Sequence, residues 1–477
     1  MDYYALSKII EERYQRYIGT TFYFKDPILR ASFLEALKNN QITKGPFLEA
    51  TPAFQRGHKA TELFQKITGT VPEPALIQAI NGERRLYSHQ EEAIQRISAG
   101  RNVVIATGTG SGKTEGFLYP ILLHLLSESQ KGSLTKTQGV RALILYPMNA
   151  LAYDQRERLG GICKHLEQGK SAFRFTFGQY VGSTPENEKD NWRHAQDAIE
   201  HRLPGERITR EEMRSTPPHI LLTNYSMLEY QLLRPKDSPL FDPPNGQTWR
   251  FLVLDEAHQY RGTSGAEMGF LLRRLKQRLR ESGQSDKFIC IATSASLVGG
   301  DQDHAVVARF AETLFGEPFD ADDVIVAKPE PLPAPQGTAF PATLYETLSA
   351  LLKSGTDQNK FELLPNLIAS LRDGINPKIA IGDTLLTDAR VADLRQRITG
   401  NPQLIETLAN DLFQELDSSD RIKTLVQMVN LLTRVEPRNI GGPILSVRYH
   451  LLLRALEGAY LRFNPNPQIL LTPQGMG

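Results

Sequence analysis

Cysteine is scarce in this chain of 477 residues, which contains only two. Cys163 and Cys290 are too few for a disulfide framework, and their spacing is not that of metal ligands. We therefore expect both to be small core residues of a protein in a reducing compartment, the cytoplasm.

Long apolar runs and an excess of charge of one sign are lacking as well. No run of roughly 18 apolar residues occurs, and the N-terminal segment has acidic residues where a secretion signal needs an apolar run. We expect a soluble, intracellular protein without a membrane partner. Lysine and arginine number 55 against 54 aspartates and glutamates, so the net charge of +1 does not indicate nucleic acid. A nucleic-acid site would have to use local patches and backbone donors.

The most informative feature that is present is a glycine-rich loop, ATGTGSGKTE, at residues 106–115. It lies between a strand pattern and a helix pattern, as in loops that bind triphosphates through backbone N–H groups. We expect Lys113 to contact the β- and γ-phosphates of ATP and Thr114 to bind Mg²⁺. The other residues expected to surround the phosphates are Thr107, Gly108, Thr109, Gly110, Ser111 and Gly112.

A second motif, LDEAH at residues 254–258, ends another apolar run. Beside the loop, Asp255 is expected to bind Mg²⁺ and Glu256 to activate the attacking water. The two motifs together predict nucleotide hydrolysis. Upstream, the amide of Gln90 has the donor and the acceptor that adenine requires. An ordinary glutamine near a helix start is the alternative.

His258 and the hydroxyls that end the apolar run FICIAT form a third group. Ser294 and Ser296 are expected to bond His258 and to couple the nucleotide site to nucleic acid. The alternative is a helix N-cap without a coupling role.

Short apolar strands separated by helical stretches predict a parallel sheet covered on both faces, an α/β fold of the RecA-like doubly wound type. The predicted strands are 102–106, 142–146, 175–182, 219–223, 251–255, 288–293 and 323–327. Residues 146–152, 180–182 and 223–227 follow three of these strands and could contact successive phosphates of one nucleic-acid strand. Each of the three, taken singly, is more simply a loop.

Composition and pattern divide the chain into segments. The predicted segments are an N-terminal accessory domain (1–85), the sheet domain (86–328) with a helical or loop insertion (183–218), a proline-rich hinge (329–341), a mainly helical domain (342–464) and a tail without a partner element (465–477).

The ordered motifs resemble those of superfamily 2 DEAD/DEAH-box helicases over about residues 86–300. The extension DEAHQYRGTSGAEMGFLLRRL is similar to the YprA/MrfA-like branch, which includes repair helicases and antiphage-defence helicases of the Druantia and DISARM type. The segment RYHLLLRALEGAYLRF also resembles a helix of that branch.

The resemblance implies ATP and Mg²⁺ as cofactors, and DNA, single-stranded or forked, as partner. It implies protein partners in a defence or repair complex too. It assigns Lys113, Asp255, Glu256 and His258 to catalysis. Its nucleic-acid contacts fall on Pro147, Asn149, Gly182, Thr223 and Asn224. Ser296 stands where the family has threonine, which preserves the hydroxyl.

A helicase also needs a second RecA-like domain with an arginine-bearing Q-x-x-G-R-x-x-R motif, and no such motif occurs after residue 300. We therefore expect the motor half of an ATP-dependent DNA helicase or translocase, an N-terminal part of a larger protein that is weak or inactive without the second domain. Two alternatives are a non-hydrolysing scaffold or switch that binds ATP and nucleic acid, and the translocase subunit of a restriction system.

Overall fold

The structure is a computed structural model. It describes residues 3–39, 42–108, 110–190, 193–295, 303–330, 338–354, 365–438, 442–454, 460–462 and 468–471. The chain forms two compact units, of which the first combines residues 1–53 with 330–477 and the second comprises residues 54–329.

The strands are β1 (Thr43–Ala50), β2 (Arg56–Lys59), β3 (Arg85–Tyr87), β4 (Val103–Ala106), β5 (Ala142–Tyr146), β6 (Phe177–Tyr180), β7 (Glu206–Arg207), β8 (Ile220–Asn224), β9 (Phe251–Leu254), β10 (Ile289–Ser294), β11 (Val324–Val326), β12 (Gln403–Leu404), β13 (Val447–Leu453), β14 (Tyr460–Arg462) and β15 (Gln468–Leu470).

The helices are α1 (Tyr3–Thr21), α2 (Pro27–Asn39), α3 (Ala60–Thr68), α4 (Pro74–Ala79), α5 (Ser88–Ser98), α6 (Lys113–Gln130), α7 (Asn149–Gln168), α8 (Arg193–Glu200), α9 (Arg210–Ser215), α10 (Tyr225–Leu233), α11 (Thr263–Glu281), α12 (His304–Phe315), α13 (Thr343–Ser354), α14 (Pro365–Arg372), α15 (Pro377–Leu385), α16 (Ala389–Ile398), α17 (Ile405–Leu412) and α18 (Ser418–Leu432). Among the described residues, no helix combines the length and the apolar character that crossing a bilayer requires.

The second unit contains an eight-stranded sheet in the order β11-β4-β10-β9-β5-β8-β6-β7. All its pairs are parallel, so the carboxyl ends of its strands lie along one edge. The predicted RecA-like doubly wound α/β fold is therefore confirmed.

Successive side chains along each strand point to opposite faces of the sheet, and each face has its own hydrophobic core. In β4, Val103 and Ile105 pack with α3–α7, whereas Val104 packs with α10–α12. The strand cores are apolar on both faces because both faces are covered, which explains their continuous apolar runs in the sequence.

Residues 183–218 contain α8, β7 and α9, and β7 extends the sheet beyond β6. A buried ion pair attaches this insertion to α7, with Arg156 Nη2 2.8 Å from Glu206 Oε2. Since both side chains are almost fully buried, breaking the pair would leave an uncompensated charge.

The first unit differs from the predicted segments. Its core packs α13–α18 against β1, which pairs with β12 and with β13. Residues 1–53 thus share a unit with the C-terminal part of the chain, and residues 54–85 lie with the sheet. Of the predicted hinge, residues 331–337 lie outside the described residues.

Two expectations for the C-terminal part are wrong. The described residues of the segment RYHLLLRALEGAYLRF do not form the expected helix, because β13 covers residues 447–453 and pairs with β1, and β14 covers residues 460–462. The tail does have a partner, since β15 pairs with β14 and the Ile469 N–H donates to Ser32 Oγ at 2.9 Å. In β13, pairing with the distant strand β1 outweighed the local helical pattern.

Candidate functional site

Three motifs meet at the carboxyl edge of the sheet. The glycine-rich loop follows β4, the LDEAH carboxylates follow β9, and Thr293 and Ser294 end β10 between these two strands. The sequence separates the motifs widely, and the strand order brings them together. Ligands of open α/β sheets bind at this edge.

The loop itself is shaped by its small residues. Gly110 and Gly112 have φ values of +81° and +73°, which favour glycine. Thr107 Oγ1 and Ser111 Oγ lie 2.6 Å apart, and both residues are buried. A Cβ on Gly108 would meet no atom within 4 Å, so that side of the loop is open. Thr109 lies outside the described residues.

Two buried residues of α5 support the loop from behind. Gln90 Nε2 donates to Gly112 O at 2.8 Å, while Gln90 Oε1 accepts from the Tyr87 N–H at 2.8 Å. His89 Nε2 contacts Ser111 O at 2.9 Å, and burial lowers the pKa of His89. The Gln90 amide is thus engaged at both ends, and its adenine role stays a prediction. The sequence motifs gave no sign of the His89 contact.

A salt bridge joins the two predicted catalytic motifs. Lys113 Nζ lies 2.8 Å from Glu256 Oε1, and both side chains are largely buried. Thr114 and Asp255, predicted to bind Mg²⁺, are the chain neighbours of these two residues, and the Thr114 hydroxyl accepts from Gln155 Nε2 at 3.5 Å.

Thr293 holds both carboxylate residues of the LDEAH motif. Its hydroxyl donates to Asp255 Oδ1 and accepts from the Glu256 N–H at 3.2 Å. Burial, with the Glu256 carboxylate adding to it, raises the pKa of Asp255, and the Thr293 hydrogen bond opposes this shift. The sequence gave Thr293 no such role, because these contacts cross from one strand to the next.

His258 connects this cluster to the end of β10. Its Nδ1 lies 3.2 Å from Glu256 Oε2 and 3.2 Å from Ser294 Oγ. Ser294 O accepts from the Thr107 N–H at 2.9 Å, so the same serine also contacts the phosphate loop. The predicted contact of Ser294 with His258 is present, whereas Ser296 lies outside the described residues.

Replacing Thr293 with valine is expected to lower the rate of ATP hydrolysis about tenfold to a hundredfold, because Asp255 and the Glu256 backbone lose the hydroxyl that orients them. Thr293→Ser keeps the hydroxyl and should retain most of the rate. Steady-state hydrolysis by the natural full-length protein measures both variants. Equal losses in the two variants would show that packing, not the hydroxyl, is what matters.

The predicted strand-end segments follow β5, β8 and β6, which are neighbours in the sheet. Asn149 begins α7 directly after Pro147 and Met148, and its Oδ1 accepts from Asn224 Nδ2 at 2.8 Å. Gly182 follows β6 and is open on its Cβ side. These residues lie at the same carboxyl edge of the sheet as the nucleotide motifs, since β5 lies next to β9.

Thr223 is the exception among the predicted nucleic-acid contacts. It is fully buried, and its hydroxyl donates to Tyr180 O at 2.6 Å inside the sheet. The hydroxyl therefore links β8 to β6 and is not available as a donor at the surface. Asn224, the next residue, points its Oδ1 to the Met227 N–H and caps α10.

Comparison with known proteins identifies a family and several relatives. Residues 87–303 match the DEAD/DEAH box helicase family. The Druantia protein DruE of Escherichia coli (strain UMEA 4076-1) is 27% identical over 96% of this chain and 30% of its own length. The uncharacterized ATP-dependent helicase YprA of Bacillus subtilis (strain 168) is 31% identical over 50% of this chain and 25% of its own length.

Among solved structures, the DUF1998 helicase MrfA bound to DNA and AMPPNP aligns with 71% of this chain and 41% of its own, at 22% identity and a TM-score of 0.40. The chain spans less than a third of the length of DruE and of YprA. Residues 87–303 form a DEAD/DEAH box helicase domain, and the chain is homologous to DruE and to YprA.

Proposed function

We propose that this chain is the ATP-binding motor half of an ATP-dependent DNA helicase or translocase that serves bacterial antiphage defence or DNA repair. The observation that supports it most is the Lys113–Glu256 salt bridge at a sheet edge where Asn149 follows β5, Asn224 ends β8, and the two asparagines are hydrogen-bonded to each other. The proposed nucleotide site and the proposed nucleic-acid site would then be two halves of one edge. Similarity to DruE over 96% of the chain supports the defence role.

Lys113 and Glu256 would exchange partners during the cycle. The β- and γ-phosphates of ATP would compete with Glu256 for the Lys113 ammonium, because both are anions within its reach. Glu256 released in this way would accept a proton from the attacking water and orient it toward the γ-phosphate. His258, 3.2 Å from the other carboxylate oxygen, would limit the positions that Glu256 can take.

The oxygen ligands present fit Mg²⁺, which prefers carboxylates, hydroxyls and phosphates. Asp255 and Thr114 would hold the ion, and the ion when bound would neutralise phosphate charge. Burial raises the pKa of Asp255, and a bound cation would oppose this shift by favouring the ionised carboxylate.

Nucleic acid would lie along the ends of β5, β8 and β6, held by helix N-termini and side-chain amides and not by a basic groove. DNA is favoured over RNA by the resemblance to the YprA/MrfA-like branch. Ser294 touches both His258 and the phosphate loop and is the residue we propose for coupling the two halves.

Replacing Asn224 with alanine is expected to weaken binding to single-stranded DNA several-fold without changing the affinity for ATP. The change removes the amide that holds Asn149 and the N-cap of α10, which is worth about 1 kcal/mol of stability. Fluorescence anisotropy at several salt concentrations measures the affinity. The logarithm of the wild-type binding constant should fall with the logarithm of salt with a slope of about 0.7 per phosphate contact.

Asn245→Ala is the matched control, because Asn245 is a half-buried asparagine whose amide donates to Pro239 O away from these strand ends. It should leave DNA binding unchanged. Equal affinities for wild type and Asn224→Ala, or a wild-type affinity insensitive to salt, would contradict the proposed strand path.

A further inference from the structure

A cleft of about 760 Å³ lies between α7 and the insertion. Its wall includes Tyr153 and Arg156 of α7, Gln179 of β6, Ser183, and Arg202 of the insertion. This volume is within the range of about 300–1,000 Å³ that small-molecule sites occupy in proteins.

The cleft opens beside the proposed path of the nucleic-acid strand. Tyr153 follows Asn149 by four residues on α7, so both lie on one face of that helix. On the opposite wall, Ser183 directly follows Gly182. Two residues of the proposed path thus flank the cleft.

Tyr153 is the aromatic side chain of this cleft, and 53% of it is exposed. The Arg156 guanidinium lies over its ring, 5.7 Å from the centroid. Arg156 is itself fixed by Glu206 and by the carbonyl of His201, to which its Nη2 donates at 2.9 Å. The Tyr153 ring therefore packs against the fixed Arg156 guanidinium and remains accessible to a ligand.

The charges of the cleft favour a base over a phosphate. Arg156 is paired with Glu206, and Arg202 lies 2.9 Å from Glu212 and 3.4 Å from Glu188. Because carboxylates already compensate these cations, little positive charge is left for a phosphate. An aromatic face binds any base by stacking, which needs no free charge.

We propose that this cleft accepts a nucleobase of the strand held at the sheet edge and that Tyr153 stacks on it. The inference rests on the proposed function, since the strand must first lie along β5, β8 and β6. The site is independent of the ATP motifs, and it uses the insertion to contact the strand.

The test compares two single-stranded oligonucleotides of equal length. In the first, every nucleotide is a thymidine. In the second, every sugar is abasic, so that it keeps the phosphates and lacks the bases. Binding to the 477-residue chain is measured by fluorescence anisotropy. Tyr153→Ala should weaken thymidine binding about tenfold. It should leave abasic binding unchanged, and Tyr153→Phe should bind both like the wild type.

Tyr230 provides a matched control. It is also 53% exposed, and the Arg234 guanidinium lies 5.7 Å from its ring centroid, but it belongs to α10 and does not line the cleft. Tyr230→Ala should bind both oligonucleotides like the wild type. An ATP-analogue titration of each variant checks that the domain remains folded.

Three results would overturn the inference. The first is an unchanged affinity of Tyr153→Ala for the thymidine oligonucleotide. The second is a loss of affinity by the same factor for the thymidine and the abasic oligonucleotides. The third is a loss of affinity for the thymidine oligonucleotide in Tyr230→Ala that equals the loss in Tyr153→Ala. Failure of the wild-type chain to bind either oligonucleotide at low salt is a separate result, which would overturn the proposed function as well.

Discussion

Replacing Glu256 with glutamine is expected to abolish ATP hydrolysis while ATP stays bound. The amide cannot accept the proton of the attacking water, and loss of such a base costs about 10²-fold to 10⁴-fold in rate. The affinity for ATP should stay the same or increase. The change also removes the carboxylate whose Oε1 lies 2.8 Å from Lys113 Nζ and which would compete with phosphate for the Lys113 ammonium. Single-turnover hydrolysis and nucleotide binding, measured on the natural full-length protein, separate these two effects.

Glu281→Gln is the control for charge removal, because Glu281 is an exposed glutamate at the end of α11 whose carboxylate accepts from Gln277. Its hydrolysis rate should match that of the wild type. Hydrolysis by Glu256→Gln at the wild-type rate would mean that another group activates water.

The second large effect is expected at Lys113. Its replacement by alanine removes the only phosphate-directed cation that the loop motif contains, and it leaves the largely buried Glu256 without its ion pair. The affinity for ATP should fall about tenfold to a hundredfold, the amount expected for a lost charge-assisted hydrogen bond. Equilibrium titration with a fluorescent ATP analogue measures the change.

Lys131→Ala is the matched control, since Lys131 is an exposed lysine that directly follows the other end of the same helix, α6. Its affinity for ATP should equal that of the wild type. An unchanged affinity in Lys113→Ala would place the phosphates elsewhere on the domain.

The sheet and its nucleotide motifs could be predicted from the sequence because their signals are local. A continuous apolar run before the loop at 106–115 indicates a buried strand, and the glycines need positive φ angles within a few residues. The same holds for LDEAH. That the two motifs lie near each other was also expected, since strand ends of a parallel sheet share one edge, whereas the direct salt bridge between Lys113 and Glu256 was not.

Contacts between neighbouring strands could not be predicted in the same way. Thr293 reaches Asp255 only because β10 lies beside β9, and Thr223 is buried only because β6 lies beside β8. The sequence around a threonine at a strand end does not indicate whether its hydroxyl faces solvent or a neighbouring strand. The strand at 447–453 was missed for a related reason, because its partner β1 lies near the other end of the chain.

The central claim is that one sheet edge binds ATP on β4, β10 and β9 and nucleic acid on β5, β8 and β6. Its most direct test is the rate of ATP hydrolysis by the natural full-length protein, measured with and without saturating single-stranded DNA. Our expectation is that DNA raises the rate in the wild type and that Asn224→Ala needs more DNA to reach the same rate. A wild-type rate that DNA leaves unchanged would contradict it.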